Sequence, residues 1–454
     1  MLTLGTLLQG QPSPATTWND DSCDIGVAPA ATLLLPYFEV DFRSSAATAR
    51  TTLFTIVNTS SQPQIAKVTL WTDWAYPVMT FSAYLTGYGV ASVNLRDVFT
   101  GGAVLPGLAR NALPGSLSAS SNPNHLPGAA IDCSGRPMMI TPSELDELQR
   151  VFTIGVISAC GSSHVGGVHA NAIGYATIDV VATCSDTMPI DPTYYATEIL
   201  FDNVLVGDWE VVDPNATTGN YAGGNELVHL RAIPEGGPAG SNVATSLPYT
   251  FYDRYTTVGG MYARTVDRRQ PLPSTFAARW IQGGRTAFNT DYLIWREGYT
   301  GAGAPCARYV DNSAKEMTEI VRFDEHENST ATPPPIPICT PYPQPIGALP
   351  ATSTISTSSY VFPPVTTSGD VGGWMFINAS NHGSPVYSTA PGRDFRSGSS
   401  TFTNCARQNQ SWVTLMMTAE GRYAVLFDAT PLGNGCSKSP PSGTEIGPAP
   451  NATP

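Results

Sequence analysis

Apolar and polar residues alternate with a period of two along much of the chain, the pattern of half-buried strands. Thr51–Val57 (TTLFTIV) and Ile65–Trp71 (IAKVTLW) are β-branched and separated by a polar turn at Asn58–Gln64, so together they read as a hairpin. Ala91–Phe99, Val151–Ser158 and Ile173–Ala182 predict three further strands. Short strands punctuated by Gly, Pro and Asn predict an all-β fold of sandwich type. One short helix is expected. Thr141 is placed as N-cap, Pro142 as the first helical residue and Glu144 three residues after the cap, a capping box that leads into the Val151 strand.

The pattern also recurs at long range. Leu35-Pro36-Tyr37 returns as Leu247-Pro248-Tyr249, and Thr52–Ile56 has a counterpart in Ser274–Ala278. Leu70–Asp73 is echoed by Ile294–Glu297, and Val98-Phe99 by Val361-Phe362. Val151–Ile154 matches Trp374–Ile377, and Tyr175–Asp179 matches Tyr423–Asp428. Six matches in one order predict a duplicated unit and two tandem β-sandwich domains with long loop insertions. The first is expected over 26–240 and the second over 241–437, after a leader or N-terminal arm at 1–25 and before a disordered tail at 438–454. The Pro-rich stretch 329–350 lies between matched strands, so it reads as an insertion of the second unit rather than a linker.

At 454 residues the chain can form two to three domains with their own cores. Only 13% of residues are charged, while Gly and Pro number 42 and 39. That balance suits a secreted all-β protein. The net charge of −13 repels phosphate backbones, so no nucleic-acid partner is expected. No apolar stretch reaches the length of a membrane span. Seven arginines lie between Arg254 and Arg296, where they read as partners of nearby carboxylates and carbonyls or, more sharply, as a local anion or partner site.

Eight cysteines form an even set without a CxxC pair, which favours disulfides over zinc and implies an oxidising compartment. By the repeat, Cys160–Cys184 and Cys405–Cys436 are expected as equivalent bridges. Cys306–Cys339 would staple an insertion, leaving Cys23–Cys133.

Candidate chemistry is sparse. Asp324, Glu325 and Glu327 crowd around His326, and carboxylates on one strand face suit acid–base work or Ca²⁺. No partner motif points at them, and a solvated strand end is the preferred reading. His164 and His169 flank a Gly-Gly pair that suggests a loop, with no third zinc ligand. Three Asp within Asn19–Asp24 lack the Gly and terminal Glu of an EF-hand loop. No metal or cofactor is assigned beyond the chance of Ca²⁺, and no catalytic residue. Trp71 and Trp295 read as core, whereas Trp74 and Tyr76 follow a strand and are candidates for a sugar-stacking or protein-binding platform.

Leu53–Ser60 with Val68–Trp71 and Ser92–Leu95 resembles immunoglobulin-like sandwich modules of secreted bacterial surface proteins. Phrases such as ATLLLPYFEVDF and DRRQPLPSTFAARW make most of residues 26–437 similar to uncharacterised secreted bacterial proteins. The resemblance implies a compartment and a fold without an activity. The expectation is therefore a non-enzymatic, extracellular or cell-surface structural or adhesive protein binding a surface glycan or protein. The alternatives are a carbohydrate-active hydrolase, whose carboxylates (Asp41, Asp253, Asp324, Glu325, Glu327) would converge in a cleft, and a self-assembling surface-polymer subunit.

Overall fold

The structure is a computed structural model that describes residues 28–101, 140–185, 187–191, 193–214, 221–233, 250–255, 267–298, 317–331, 349–359, 361–364, 371–382, 410–420 and 423–432, with the short pieces 108–109, 235–236 and 406–407. Its strands form four antiparallel sheets. Sheet I has the order β5-β2-β8-β9, from Val90–Asn94, Thr51–Asn58, Leu205–Asp213 and Tyr221–Glu226. Sheet II runs β10-β1-β7-β3-β4-β6, from Val228–Leu230, Thr32–Val40, Ala172–Val181, Gln64–Thr72, Pro77–Leu85 and Leu108–Ala109. Sheet III is β15-β12-β18-β19, from Thr352–Ser356, Asn289–Arg296, Ser411–Ala419 and Tyr423–Asp428. Sheet IV is β14-β13-β16-β11-β20, from Ser329–Ala331, Met317–Asp324, Gly372–His382, Thr275–Ile281 and Thr430–Pro431, with β17 (Ala406–Arg407) also on β16.

These orders contain a repeat. Replacing β1, β2, β3, β4, β5, β7, β8, β9 and β10 by β11, β12, β13, β14, β15, β16, β18, β19 and β20 converts sheet I into sheet III and the first five strands of sheet II into sheet IV. Every partner is preserved, and so is the order along the chain. A nine-strand unit is therefore present twice.

The sequence matches do not follow that repeat. Thr52–Ile56 lies in β2, whereas its supposed counterpart opens β11, the equivalent of β1. Leu70–Asp73 and Ile294–Glu297 set β3 against β12, the equivalent of β2. Val151–Ile154 is helical and Trp374–Ile377 is a strand; Tyr175–Asp179 is in a central strand and Tyr423–Asp428 in an edge strand. Short β-branched segments resemble one another wherever they sit, and only pairing partners tell them apart.

The four sheets stack in the order I, II, III, IV. Gly207 of β8 faces Leu33 of β1 across sheets I and II. On the other face of sheet II, Tyr175 lies 5.9 Å from Trp295 of sheet III, and Thr352 donates from Oγ1 to the Pro36 carbonyl at 2.7 Å. Sheets III and IV meet where Tyr292 donates to the Arg279 carbonyl at 2.7 Å. Beyond the edge of sheet II, β9 touches β19 directly: Asn225 Nδ2 donates to Asp428 Oδ1 at 2.9 Å, and Gly223 leaves room for Leu426. One continuous apolar core runs through both units.

This layering explains the burial patterns. In β1, β3 and β7 nearly every residue is buried, because sheet II is covered on both faces. In β2, Leu53, Thr55 and Val57 stay half-exposed while their neighbours are buried. β2 and β3 do not form the expected hairpin; β2 pairs with β5 and β8, and β3 with β4 and β7.

Among the described residues three α-helices stand where one was expected. α1 (Leu95–Thr100) interrupts the Ala91–Phe99 strand, because the Asn94 side chain accepts from Arg96 N and caps a helix there. α2 (Pro142–Ile154) has the expected capping box but runs on through Val151–Ile154, ending at Gly155 with φ 69°. α3 (Phe251–Tyr255) places its aromatic side chains between sheets II and III. α1 and α2 close one end of the first unit through Phe38, Phe99 and Phe152, whose rings lie 5.2–6.0 Å apart. No helix among the described residues is long and apolar enough to cross a membrane.

Cys160 packs near Tyr76 and Val78, at the end of sheet II where Trp71 pairs with Tyr175. Cys184 lies just past Val181, which pairs with Ile65 at the other end of the same strands. A disulfide holds its Cα atoms within about 7 Å, so this placement does not support a Cys160–Cys184 bridge. The parallel with Cys405–Cys436 also fails in position, since residue 405 falls between β16 and β18, where the first unit has Cys184. Cys405, Cys436, Cys306, Cys339, Cys23 and Cys133 lie outside the described residues, as do the arm at 1–25, Asn19–Asp24, the second Leu-Pro-Tyr, most of 329–350 and the tail.

Candidate functional site: an aromatic row on an open sheet face

Equivalent faces of sheets II and IV have opposite surroundings. The outer face of sheet II carries Lys67, Thr69 and Trp71 on β3, and Tyr175, Thr177 and Asp179 on β7, all fully buried beneath sheet III, α3 and the turn Tyr194–Glu198. Its charges are consumed internally. Asp179 accepts from Tyr194 and Tyr252 hydroxyls, each at 2.6 Å, and from Thr32, and lies 3.6 Å from Arg269. Lys67 Nζ meets Glu198 and Ser185, each at 2.9 Å. Burial, then the Asp179 charge, holds both tyrosine hydroxyls far above their ordinary pKa, so they serve as donors. Such a network specifies packing and offers no group to a substrate.

On sheet IV the corresponding face is open at one end. Arg279 of β11, Trp374 of β16 and Phe323 of β13 occupy directly paired positions, so three adjacent strands hold them in a row. The Trp374 and Phe323 rings stack at 4.2 Å with 6° between planes, and Trp374 remains 39% exposed. Arg279 is exposed and makes no ion pair among the described residues. The row depends on Gly373: with φ 156°, a Cβ there would strike the Phe323 carbonyl and the Trp280 indole. Beneath it, Trp280 Nε1 donates to the Phe323 carbonyl at 2.9 Å and the Arg322 guanidinium covers the Trp280 ring at 3.8 Å, fixing the platform from below.

The structure separates the residues singled out in the sequence. Asp324 is buried and holds the β13–β14 turn, its Oδ1 accepting from His326 N and Asn328 N, each at 2.9 Å. Glu327 sits in that turn at φ 65°, exposed. Glu325 is exposed and accepts from Val371 N at 3.3 Å, so it alone of the three reaches the strand that carries Trp374. Asp41 binds the backbone N–H groups of Arg43 and Ser44 at the end of β1, in a sheet separated from sheet IV by sheet III. The side chain of Asp253 lies outside the described residues.

Trp74 and Tyr76 diverge. Tyr76 packs into a small cluster with Val151 and Val165, and Trp74 sits half-buried with its ring 6.3 Å from His164. His169 Nε2 lies 3.0 Å from Asp73 Oδ2, and Gly167 N donates to Asp73 Oδ1 at 2.8 Å, tying the two-histidine loop to the β3–β4 turn. No group of three potential metal ligands occurs among the described residues.

Sequence reasoning missed the aromatic row because Trp374 and Phe323 fall in strands where alternation reads as core. Their cross-strand pairing is not written in either segment. Within the Arg254–Arg296 cluster, Arg269 pairs with Asp267 and approaches Asp179, while Arg279 faces solvent. No family model, curated protein or solved structure matches the chain.

Proposed function

We propose that this is a non-enzymatic secreted or cell-surface binding protein of structural or adhesive type, making contact through the Arg279–Trp374–Phe323 row. The observation that carries this reading is the exposed Trp374–Phe323 stack on a rigid sheet. A flat aromatic face beside a guanidinium stacks on sugar rings or anchors a protein partner at little entropic cost. Two features support a non-enzymatic reading: Asp41 lies in a different sheet from the Asp324–Glu327 turn, and Asp324 is taken up in holding that turn. An even cysteine count, with no free cysteine among the described residues, supports an oxidising compartment.

Screening the oxidised protein against arrayed glycans and cell-surface extracts tests the reading. Trp374→Ala is expected to abolish the binding that wild type shows, with the circular dichroism spectrum unchanged. Binding that survives the substitution would move the contact elsewhere.

A further inference from the structure

The contact between the two units is not symmetric. It joins the outer face of sheet II, the second sheet of its unit, to the outer face of sheet III, the first sheet of the next. Sheet IV is the counterpart of sheet II, and sheet I of sheet III. Among the described residues no sheet covers the Arg279–Trp374–Phe323 end of sheet IV or the outer face of sheet I, so these are the two unmatched ends of a stack whose internal junction already shows how such ends fit. A heterologous contact of this kind can repeat without closing.

The chemistry of the two ends is complementary. On sheet I, Asp208 is directly paired with Glu226 across β8 and β9, and Glu210 follows two residues on along the same face. All three are exposed, and none makes an ion pair among the described residues. Like charges set directly opposite on a sheet destabilise it, and a cation laid over them relieves that repulsion. Sheet IV presents Arg279, equally without an ion pair, beside the Trp374–Phe323 stack.

We propose that the partner of the aromatic row is a second copy of this chain, docking the Asp208–Glu210–Glu226 face of its sheet I on the Arg279–Trp374–Phe323 face of sheet IV, so that copies add head to tail. The inference rests on the binding role of the Trp374 row and names its occupant.

Sedimentation velocity over a concentration series tests it, using the full chain and two variants blocked at opposite ends: Trp374→Ala and the double variant Asp208→Lys/Glu210→Lys. Wild type is expected to form progressively larger species at low salt, shrinking as salt screens the charges. Each variant alone should remain monomeric. Their equimolar mixture should stop at a dimer, because only one intact face of each kind remains per pair. Association lost in Trp374→Ala but intact in the double variant would overturn the head-to-tail arrangement. Monomeric wild type that still binds a glycan or foreign protein through Trp374 would overturn the inference and leave the binding role standing. Monomeric wild type without any Trp374-dependent binding would overturn both.

Discussion

Sheets II and IV are built from equivalent strands in the same order, yet one is a wholly enclosed layer and the other an outer wall. The enclosed sheet carries Lys67, Asp179 and Trp71 on its covered face, each given a partner: Glu198, a pair of tyrosines with Arg269, and the Thr177 hydroxyl at 2.9 Å. The outer wall carries an aromatic row and a guanidinium in place of that network. A duplicated face can thus become interior or contact surface according to what lies above it, and burial decides whether a polar group must be satisfied locally.

The strongest way to break the contrast is to remove a charge from the enclosed face. Asp179→Leu leaves the Tyr194 and Tyr252 hydroxyls without their acceptor and Arg269 with one carboxylate in place of two, and is expected to cost about 3–5 kcal/mol in chemical denaturation. Trp71→Ala should cost a similar amount, about 3–5 kcal/mol, through the cavity it opens. Lys67→Met should also destabilise strongly, whereas Lys67→Met combined with Glu198→Leu is expected to recover most of the loss, since removing both buried charges avoids an uncompensated one. Failure of the double variant to recover would mean that Ser185 and the Tyr194 ring, 5.1 Å from Lys67 Nζ, contribute more than the ion pair.

A subtler test lies where β9 meets β19. Burial raises the Asp428 carboxyl to about 6, against hydrogen bonds from Thr414, Trp412 and Asn225 that lower it. A folded-state pKa above the unfolded value means that the native protein binds the proton more tightly. Stability from this group is therefore complete below about pH 4 and is lost as pH rises through about 6. Asp428→Asn keeps an acceptor and removes the titration. Its stability relative to wild type should be flat below pH 4 and rise by on the order of 1–2 kcal/mol by pH 7. A pH-independent difference would remove Asp428 as the titrating group.

The smallest effect is expected on the outer wall. Trp374→Ala should change unfolding free energy by less than about 0.5 kcal/mol, against the several lost at Trp71. A large loss would show that the row is part of the core rather than a contact surface.

Much of this could be read along the chain, and the errors share a cause. The β2, β3 and β7 segments and the capping box follow from local pattern, which the chain states directly. The strand register of the repeat, the missing hairpin and the exposed Trp374 depend on which strands lie side by side, and alternation is blind to that. The α2 extension through Val151–Ile154 shows the same limit, for VFTI suits a strand until a well-capped helix reaches it from Thr141. Asn58, placed in a polar turn by its sequence, is fully buried with its Nδ2 on Gln62 and Thr86 carbonyls, a role that the local pattern cannot reveal.

Because sheet II borrows part of its second cover from the other half of the chain, a fragment ending before Thr275 would bare Tyr175, Phe251 and Tyr255, the rings that pack on Trp295. The strand order repeats, but one core runs through both units, so melting should read as one event, with neither half surviving alone after a cut.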